Sequence, residues 1–374
     1  MTGQPNLIGG VPPPLMAKAG RHGDYLALPN AANPRWIFPA ARACHNAALT
    51  LYAPQKPLGK VRKLLMRRGL LSGQTVMITG VDELKAILAS AVGASGVELA
   101  FSLGTPGAYR KTTVLAMSPG GQALAFAKIA YNQLAQRALA HESTALERLS
   151  GNESMSGRVP RLLLTTRWEG ALVAVITAGP SEEGPRKLGK YHGEFLGLLR
   201  KSFGTIKPFR TSGLWQWMDG IFSFMSPSLP GPTAARIERG LHSLDQLIGR
   251  VAIPLTLAHG DFTPWNSRVA PDGSLYVFDW EQAREDCTTS FDAFHFTAMQ
   301  EAVRRKRPVS PQTILAKVQP IFPGNGSDQL RSEYLVYLLA TTLFYAHALL
   351  IAPGVGNSDV LVWMESQLDR LLRS

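Results

Sequence analysis

Residues 259–266 read HGDFTPWN, and thirteen residues beyond Asn266 comes Asp279, inside VFDWEQ. Asp, Asn and Asp at intervals of five and thirteen form a set of oxygen donors with a definite use. Phosphoryl transfer from a nucleotide asks a protein mainly for placement and charge neutralisation. A carboxylate must orient or deprotonate the acceptor hydroxyl, and further oxygens must hold the magnesium that bridges the phosphates. An Asp and an Asn five residues on, facing one way, place a base beside a metal ligand. The connection SRVAPDGSL, with its Pro-Asp-Gly turn, suits a hairpin that returns a second Asp to the same point.

The nucleotide also needs a cation on its donor phosphates. Lys128 lies mid-strand in AFAKIA, where an unpaired ammonium would be costly to bury, and Glu142 in the following HESTALERL is its natural partner. Helix phase is not fixed by sequence, so Glu147 stands as an alternative, and Lys128 could also be an edge-strand lysine facing solvent. Upstream, SLGTPGAYRK carries Gly104 and Gly107 in a turn that either covers phosphates or is a plain hairpin, with Arg110 and Lys111 beside it. A Walker-type loop is missing: GPSEEG runs into Pro-Arg, not Lys-Ser or Lys-Thr.

Together these motifs resemble the aminoglycoside phosphotransferase and choline kinase group, whose fold is related to that of protein kinases. The resemblance covers roughly residues 96–300. It implies Asp261 as catalytic base, His259 as a brace for its loop, Asn266 and Asp279 as magnesium ligands, and the Lys128–Glu142 pair with Gly104 and Gly107 as the ATP-binding set. It implies an ATP- and Mg-dependent transfer to a hydroxyl of a small molecule: a sugar, a glycoside or an amino alcohol. The alternative is a catalytically inactive kinase-like module that binds nucleotide or a partner.

The elements that must position these residues follow from periodicity. VELAFSLG (97–104), TTVLAMS (112–118), ALAFAKIAY (123–131), RLLLTTRW (161–168) and ALVAVIT (171–177) read as five antiparallel strands, with a helix over NQLAQRALAHESTALERLSG between the third and fourth. From about residue 180 the pattern is helical: KYHGEFLGLLRKSF, 233–249, roughly 290–304, roughly 329–351 and SDVLVWMESQLDRLLR, interrupted by LTLAHG and SLYVFDW. The expected architecture is α+β and bilobal: an N-terminal extension or subdomain over 1–95, a small five-stranded nucleotide lobe over 96–179, and a larger helical catalytic lobe over 180–374, with a cleft between lobes.

Charge and composition bound the remaining possibilities. Of the 39 Lys and Arg and 27 Asp and Glu, residues 1–95 hold 11 basic against 3 acidic, whereas residues 180–374 hold 20 against 19. The densest basic part, KPLGKVRKLLMRRGLL, reads as a basic amphipathic helix: a solvated face, or a peripheral contact with anionic lipid. No zinc-finger, helix-turn-helix or RNA-binding signature accompanies the charge, so nucleic acid is not an expected partner. Two distant cysteines, Cys44 and Cys287, and a proline-rich start without a signal-like apolar stretch place the chain in the cytoplasm. Tyr334–Val355 has no Asp, Glu, Lys or Arg over 22 residues, yet Thr341, Thr342, His347 and Pro353 favour a buried core helix over a bilayer span.

The acceptor should lie beside Asp261. Candidates for its walls are Trp215, Trp217, Phe222 and Phe224, and the acidic set Glu281, Glu285, Asp286 and Asp292, of which Asp286 and Asp292 also suit helix caps. The near-neutral lobe points to a neutral sugar-like acceptor in preference to a cationic aminoglycoside.

Overall fold

The computed structural model describes residues 16–19, 24–30, 32–52, 57–68, 74–104, 107–305, 308–351 and 358–373. The chain divides into two compact units, Met1–Glu147 with Pro160–Gly179, and Arg148–Val159 with Pro180–Ser374.

The first unit is built on a nine-stranded antiparallel sheet. Its strands are β1 (Met16–Ala19), β2 (Tyr25–Leu28), β3 (Trp36–Pro39), β4 (Gln74–Thr79), β5 (Glu98–Ser102), β6 (Lys111–Met117), β7 (Ala123–Ala130), β8 (Leu162–Trp168) and β9 (Ala171–Thr177), in the order β1-β4-β2-β3-β5-β6-β7-β9-β8. The five expected strands are therefore five of nine, and the first 95 residues add the other four. Helices α1 (Arg42–Ala48), α2 (Pro57–Arg67), α3 (Val81–Val92) and α4 (Gln133–Ser150) complete the unit, apart from the end of α4.

Alternation along each strand decides which face it presents. Leu99, Phe101, Val114, Ala116, Ala125, Ala127 and Ile129 pack with Leu84 and Leu88 of α3. The intervening Ala100, Leu115 and Met117 pack with Cys44 and Ala48 of α1. On that second side Ala130 and Ala174 meet Ala135 and Leu139 of α4. Between α1 and the β6–β7 turn the approach is so close that a Cβ on Gly121, at φ +85°, would stand 2.0 Å from the Ala43 carbonyl oxygen. Only glycine fits there. On α2, Leu58, Val61 and Leu64 are exposed, so its basic character comes with an apolar face on the surface. The proline-rich start and the ends of the basic stretch lie outside the described residues.

The second unit is mainly helical. Two small antiparallel sheets stand among its helices: β10 (Glu182–Glu183), β13 (Ser267–Val269) and β14 (Leu275–Val277) form one; β11 (Thr205–Pro208), β12 (Ala252–Ala258) and β15 (Arg284–Thr288) form the other. The helices are α5 (Lys190–Phe203), α6 (Gly213–Met225), α7 (Gly231–Leu244), α8 (Phe291–Met299), α9 (Pro311–Val318), α10 (Ser327–Ile351) and α11 (Ser358–Arg373). Helix α10 is long and apolar enough to cross a membrane, but residues 334–343 are all buried and it packs on α6, α7, α8 and α11. That is the core helix expected for this stretch; residues 352–355 of it lie outside the described part.

Helix α5 sets the floor under the motif region. His192 is fully buried, its ring 4.4 Å from Phe296 and 5.8 Å from Phe262, and its Nδ1 accepts the Gly189 N–H at 3.2 Å. Burial pushes its pKa down to about 4 from 6.5, against the smaller opposing pull of backbone hydrogen bonds at Gly189 and Pro185. The unfolded chain takes up this proton near pH 6.5 and the fold refuses it until about 4, so acid favours unfolding across that window. Stability is expected to be independent of this group above pH 6.5 and to lose on the order of 3 kcal/mol by pH 4 through it. Urea midpoints at pH 7 and pH 4.5 check this: His192→Gln, which accepts a hydrogen bond without titrating, should show a shallower loss.

Candidate active site

The HGDFTPWN loop leaves β12 at Ala258 through Gly260, which stands at φ +80°. A Cβ there would meet the Gln282 carbonyl oxygen at 2.1 Å, so the His-Gly-Asp order is sterically fixed at its centre. His259 is completely buried and its two ring nitrogens are assigned by their partners. The Asp261 N–H donates to Nδ1 at 3.1 Å, and Nε2 lies 2.9 Å from the Phe278 carbonyl oxygen. A backbone N–H can only donate and a carbonyl can only accept, so the ring is neutral with its proton on Nε2. His259 thus ties the loop to the residue that precedes Asp279.

Asn266 makes the second tie. Its Nδ2 donates to the Asp261 carboxylate Oδ2 at 2.8 Å and to the Asp261 carbonyl at 3.0 Å. Its backbone carbonyl accepts the Phe278 N–H at 3.1 Å. Phe278 is therefore gripped from both sides, its N–H by Asn266 and its C=O by His259. Asp279 follows it immediately, in the left-handed region at φ 73°. The amide nitrogen of Asn266 is thus committed to Asp261. The β13–β14 hairpin, in register Ser267↔Val277 and closed by Gly273 at φ +80°, is the expected return.

Two residues of α8 complete the arrangement, and neither was assigned this part from sequence. Asp292, 2% exposed, accepts the N–H groups of His259 at 2.7 Å and Gly260 at 3.0 Å. Burial pushes its carboxyl up from the usual range, while the two N–H bonds pull the other way. One turn on, His295 places Nε2 3.1 Å from Asp261 Oδ1, its ring edge-on to Tyr337. Both carboxylate oxygens of Asp261 are thus oriented, by Asn266 and by His295. Spacing of three on a helix aims both α8 side chains at one loop. That spacing is the signal available in FDAFHF, but every residue from Phe291 to Met299 is buried and no polar face marks it.

In the first unit, Lys128 belongs to an interior strand, opposite Thr113 of β6 and Ala174 of β9, and not to an edge. It is 9% exposed, and its Nζ donates to Glu142 Oε1 at 2.5 Å, which settles the partner in favour of Glu142 over Glu147. Lys111 Nζ lies 4.0 Å from the other oxygen of Glu142. Gly104 has φ +67°, and a Cβ on it would meet the Lys111 carbonyl oxygen at 2.4 Å. The Gly107 carbonyl accepts the Arg110 N–H, and Arg110 Nε donates to the Leu103 carbonyl at 2.7 Å, so Arg110 closes the turn. Residues 105–106 lie outside the described part.

The other acceptor candidates separate. Trp215 is buried, Phe224 is 73% exposed, and Trp217 lies under the Arg284 guanidinium at 3.7 Å. Asp286 accepts the Gly213 N–H at the start of α6 and pairs with Lys207, as a cap from outside the helix. Glu285 pairs with Arg148 at the surface. Glu281 lines a cavity with Asp261 and His295.

No family model matches the chain, and no curated protein does. Among solved structures it is similar to a thermostable mutant of aminoglycoside phosphotransferase APH(4)-Ia in ternary complex with ADP and hygromycin B, at 14% identity and a TM-score of 0.50, over 78% of this chain and 98% of that one. A choline kinase from Streptococcus pneumoniae aligns at 14% identity and TM-score 0.44 over 70% of this chain and 89% of its own. Spectinomycin phosphotransferase APH(9)-Ia in an AMP-bound complex aligns at 14% and 0.46, over 78% and 96%. The chain has the fold of the aminoglycoside phosphotransferase APH(4)-Ia.

Proposed function

We propose that this protein transfers the γ-phosphate of ATP, with magnesium, to a hydroxyl group of a small molecule. The observation that carries this reading is the Asp261 carboxylate, oriented at both oxygens by Asn266 and His295 in a loop stitched to the residue before Asp279. Asp261 accepts the acceptor hydroxyl's proton as the oxygen attacks phosphorus. His259 and Asp292 hold the loop, and His295 positions Asp261. Lys128, held by Glu142, meets the donor phosphates, and the Gly104–Gly107 turn covers them.

The donor set fits magnesium. Asn266 presents an amide oxygen and Asp279 a carboxylate, and among the described residues no group of three His, Cys, Asp or Glu forms a protein cage. A hard cation that keeps water and phosphate oxygens in its shell needs only one or two such ligands. When bound, magnesium neutralises charge on the phosphates.

The test is incubation with Mg-ATP and a panel of sugars, amino alcohols and aminoglycosides, watched for a phosphate-sized mass gain. Gain with wild type and its loss in Asp279→Ala, together with weaker magnesium-dependent nucleotide binding, is the expected result. ATP binding without any gain across a broad panel favours an inactive nucleotide-binding module. Lys128→Ala is expected to raise the ATP concentration needed for half-maximal rate about tenfold or more, the scale of a charge-assisted contact. An unchanged requirement removes Lys128 from the site.

A further inference from the structure

The cavity beside Asp261 has a volume of about 210 Å³. That is below the roughly 300–1,000 Å³ of pockets for drug-sized ligands, and suits one monosaccharide-sized compound. Its lining includes Asp261, His295, Glu281, Phe344, Tyr345 and Arg284. Arg284 is the unusual member. Its guanidinium lies over the Trp217 ring at 3.7 Å, with the Phe344 ring at 5.7 Å. Aromatic faces against a guanidinium leave its N–H groups pointing outward in its own plane.

Among the described residues those N–H groups have no hydrogen-bond acceptor and no carboxylate at ion-pairing distance. Both acidic neighbours in sequence are committed elsewhere: Glu285 to Arg148, and Asp286 to Lys207 at 2.7 Å and to the Gly213 N–H at 2.8 Å. Desolvation lowers the Arg284 pKa, and the opposing influence comes from the Cys287 thiol, not from a carboxylate. Half-buried and without an anion of its own, this guanidinium matches the two oxygens of a carboxylate or phosphate better than any neutral group. A cationic acceptor would meet it with repulsion.

We infer that the acceptor of this chain is a small hydroxyl compound carrying an oxyanion, which Arg284 recognises while Asp261 faces the hydroxyl. The word acceptor rests on the phosphotransferase reading; the oxyanion site does not. It replaces the neutral sugar expected from charge counts with an acidic one of similar size.

The experiment uses the full chain and a matched set: glucose, glucuronate, glucose 6-phosphate and glucosamine, with binding measured by calorimetry and transfer by mass gain. Wild type is expected to bind glucuronate, glucose 6-phosphate or both about 30-fold or more tighter than glucose, and glucosamine no better than glucose. Which anion is preferred tells carboxylate from phosphate. Arg284→Gln should abolish the preference, and Arg284→Lys should keep part of it. Equal affinity of wild type for glucose and both anions, including no measurable binding of any, overturns the inference. So does a folded Arg284→Gln protein with the preference intact; if that variant does not fold, an undiminished preference in Arg284→Lys together with equal glucosamine binding does the same. Anion preference without mass gain leaves the oxyanion site standing and removes the transferase reading.

Discussion

Asp261→Asn is expected to bind Mg-ATP as wild type does and to transfer phosphate about 10²- to 10⁴-fold more slowly, the usual share of a positioned base. The amide keeps the shape of the carboxylate and can still meet Asn266 or His295 at one atom, but it cannot take a proton. The effect should fall on kcat, with KM for the acceptor nearly unchanged. His295 supplies a graded comparison. His295→Ala removes the group 3.1 Å from Oδ1 and should lower kcat about tenfold to a hundredfold, because a misplaced base loses much of its advantage. His295→Gln, with an N–H donor at similar reach, should recover most of it. A purely structural role for His295 would show equal losses in the two variants, in parallel with their melting temperatures. Single-turnover rates of the three proteins decide the matter; an Asp261→Asn rate equal to wild type ends the assignment of the base.

The second large effect is expected at Asp292. Two buried N–H groups, those of His259 and Gly260, donate to its oxygens, and Asp292→Ala leaves both without an acceptor. At about 1–3 kcal/mol for each orphaned donor, less the relief of removing a buried carboxyl, the loss should be about 2–4 kcal/mol by urea denaturation. Asp292→Asn should cost less. It keeps one acceptor, and it removes a group whose ionised form burial disfavours. The sign follows from the raised pKa: this carboxyl favours the fold below its unfolded pKa, and that contribution fades as pH rises through the folded value. The asparagine variant should therefore lose less at pH 8 than at pH 4 relative to wild type. Equal stabilities of the alanine variant and wild type would show that the loop has other acceptors.

Much of this was legible in the chain itself, for reasons that differ by segment. ALVAVIT and KYHGEFLGLLRKSF coincide residue for residue with β9 and α5, since a strong period and clear flanking turns leave little choice. The four strands before residue 95 were not read, although YLAL and WIFP are as apolar as the others. At four residues, with proline nearby, such segments are strands only because a neighbouring strand pairs with them. Within the site, Asp261, Asn266 and Asp279 were visible because their spacing is local. Asp292 and His295 reach the same loop from about thirty residues downstream on a helix with no polar face. Arg284 was passed over because a single arginine in a charged stretch, REDC, gives no hint that an indole lies against it.

The pairing of β3 with β5 rests on two register positions, Trp36↔Ser102 and Ile37↔Phe101. A chain begun at residue 96 would turn β5 from an interior strand into a bare border, with the backbone groups of Ser102 and Phe101 open and Ala100 and Leu115 stripped of the cover that Cys44 and Ala48 give them. Such a border is a template for other chains, so a truncated preparation should associate and precipitate on concentration. Any role of the basic first quarter is accordingly better probed by charge reversal on α2 than by removal of the whole segment.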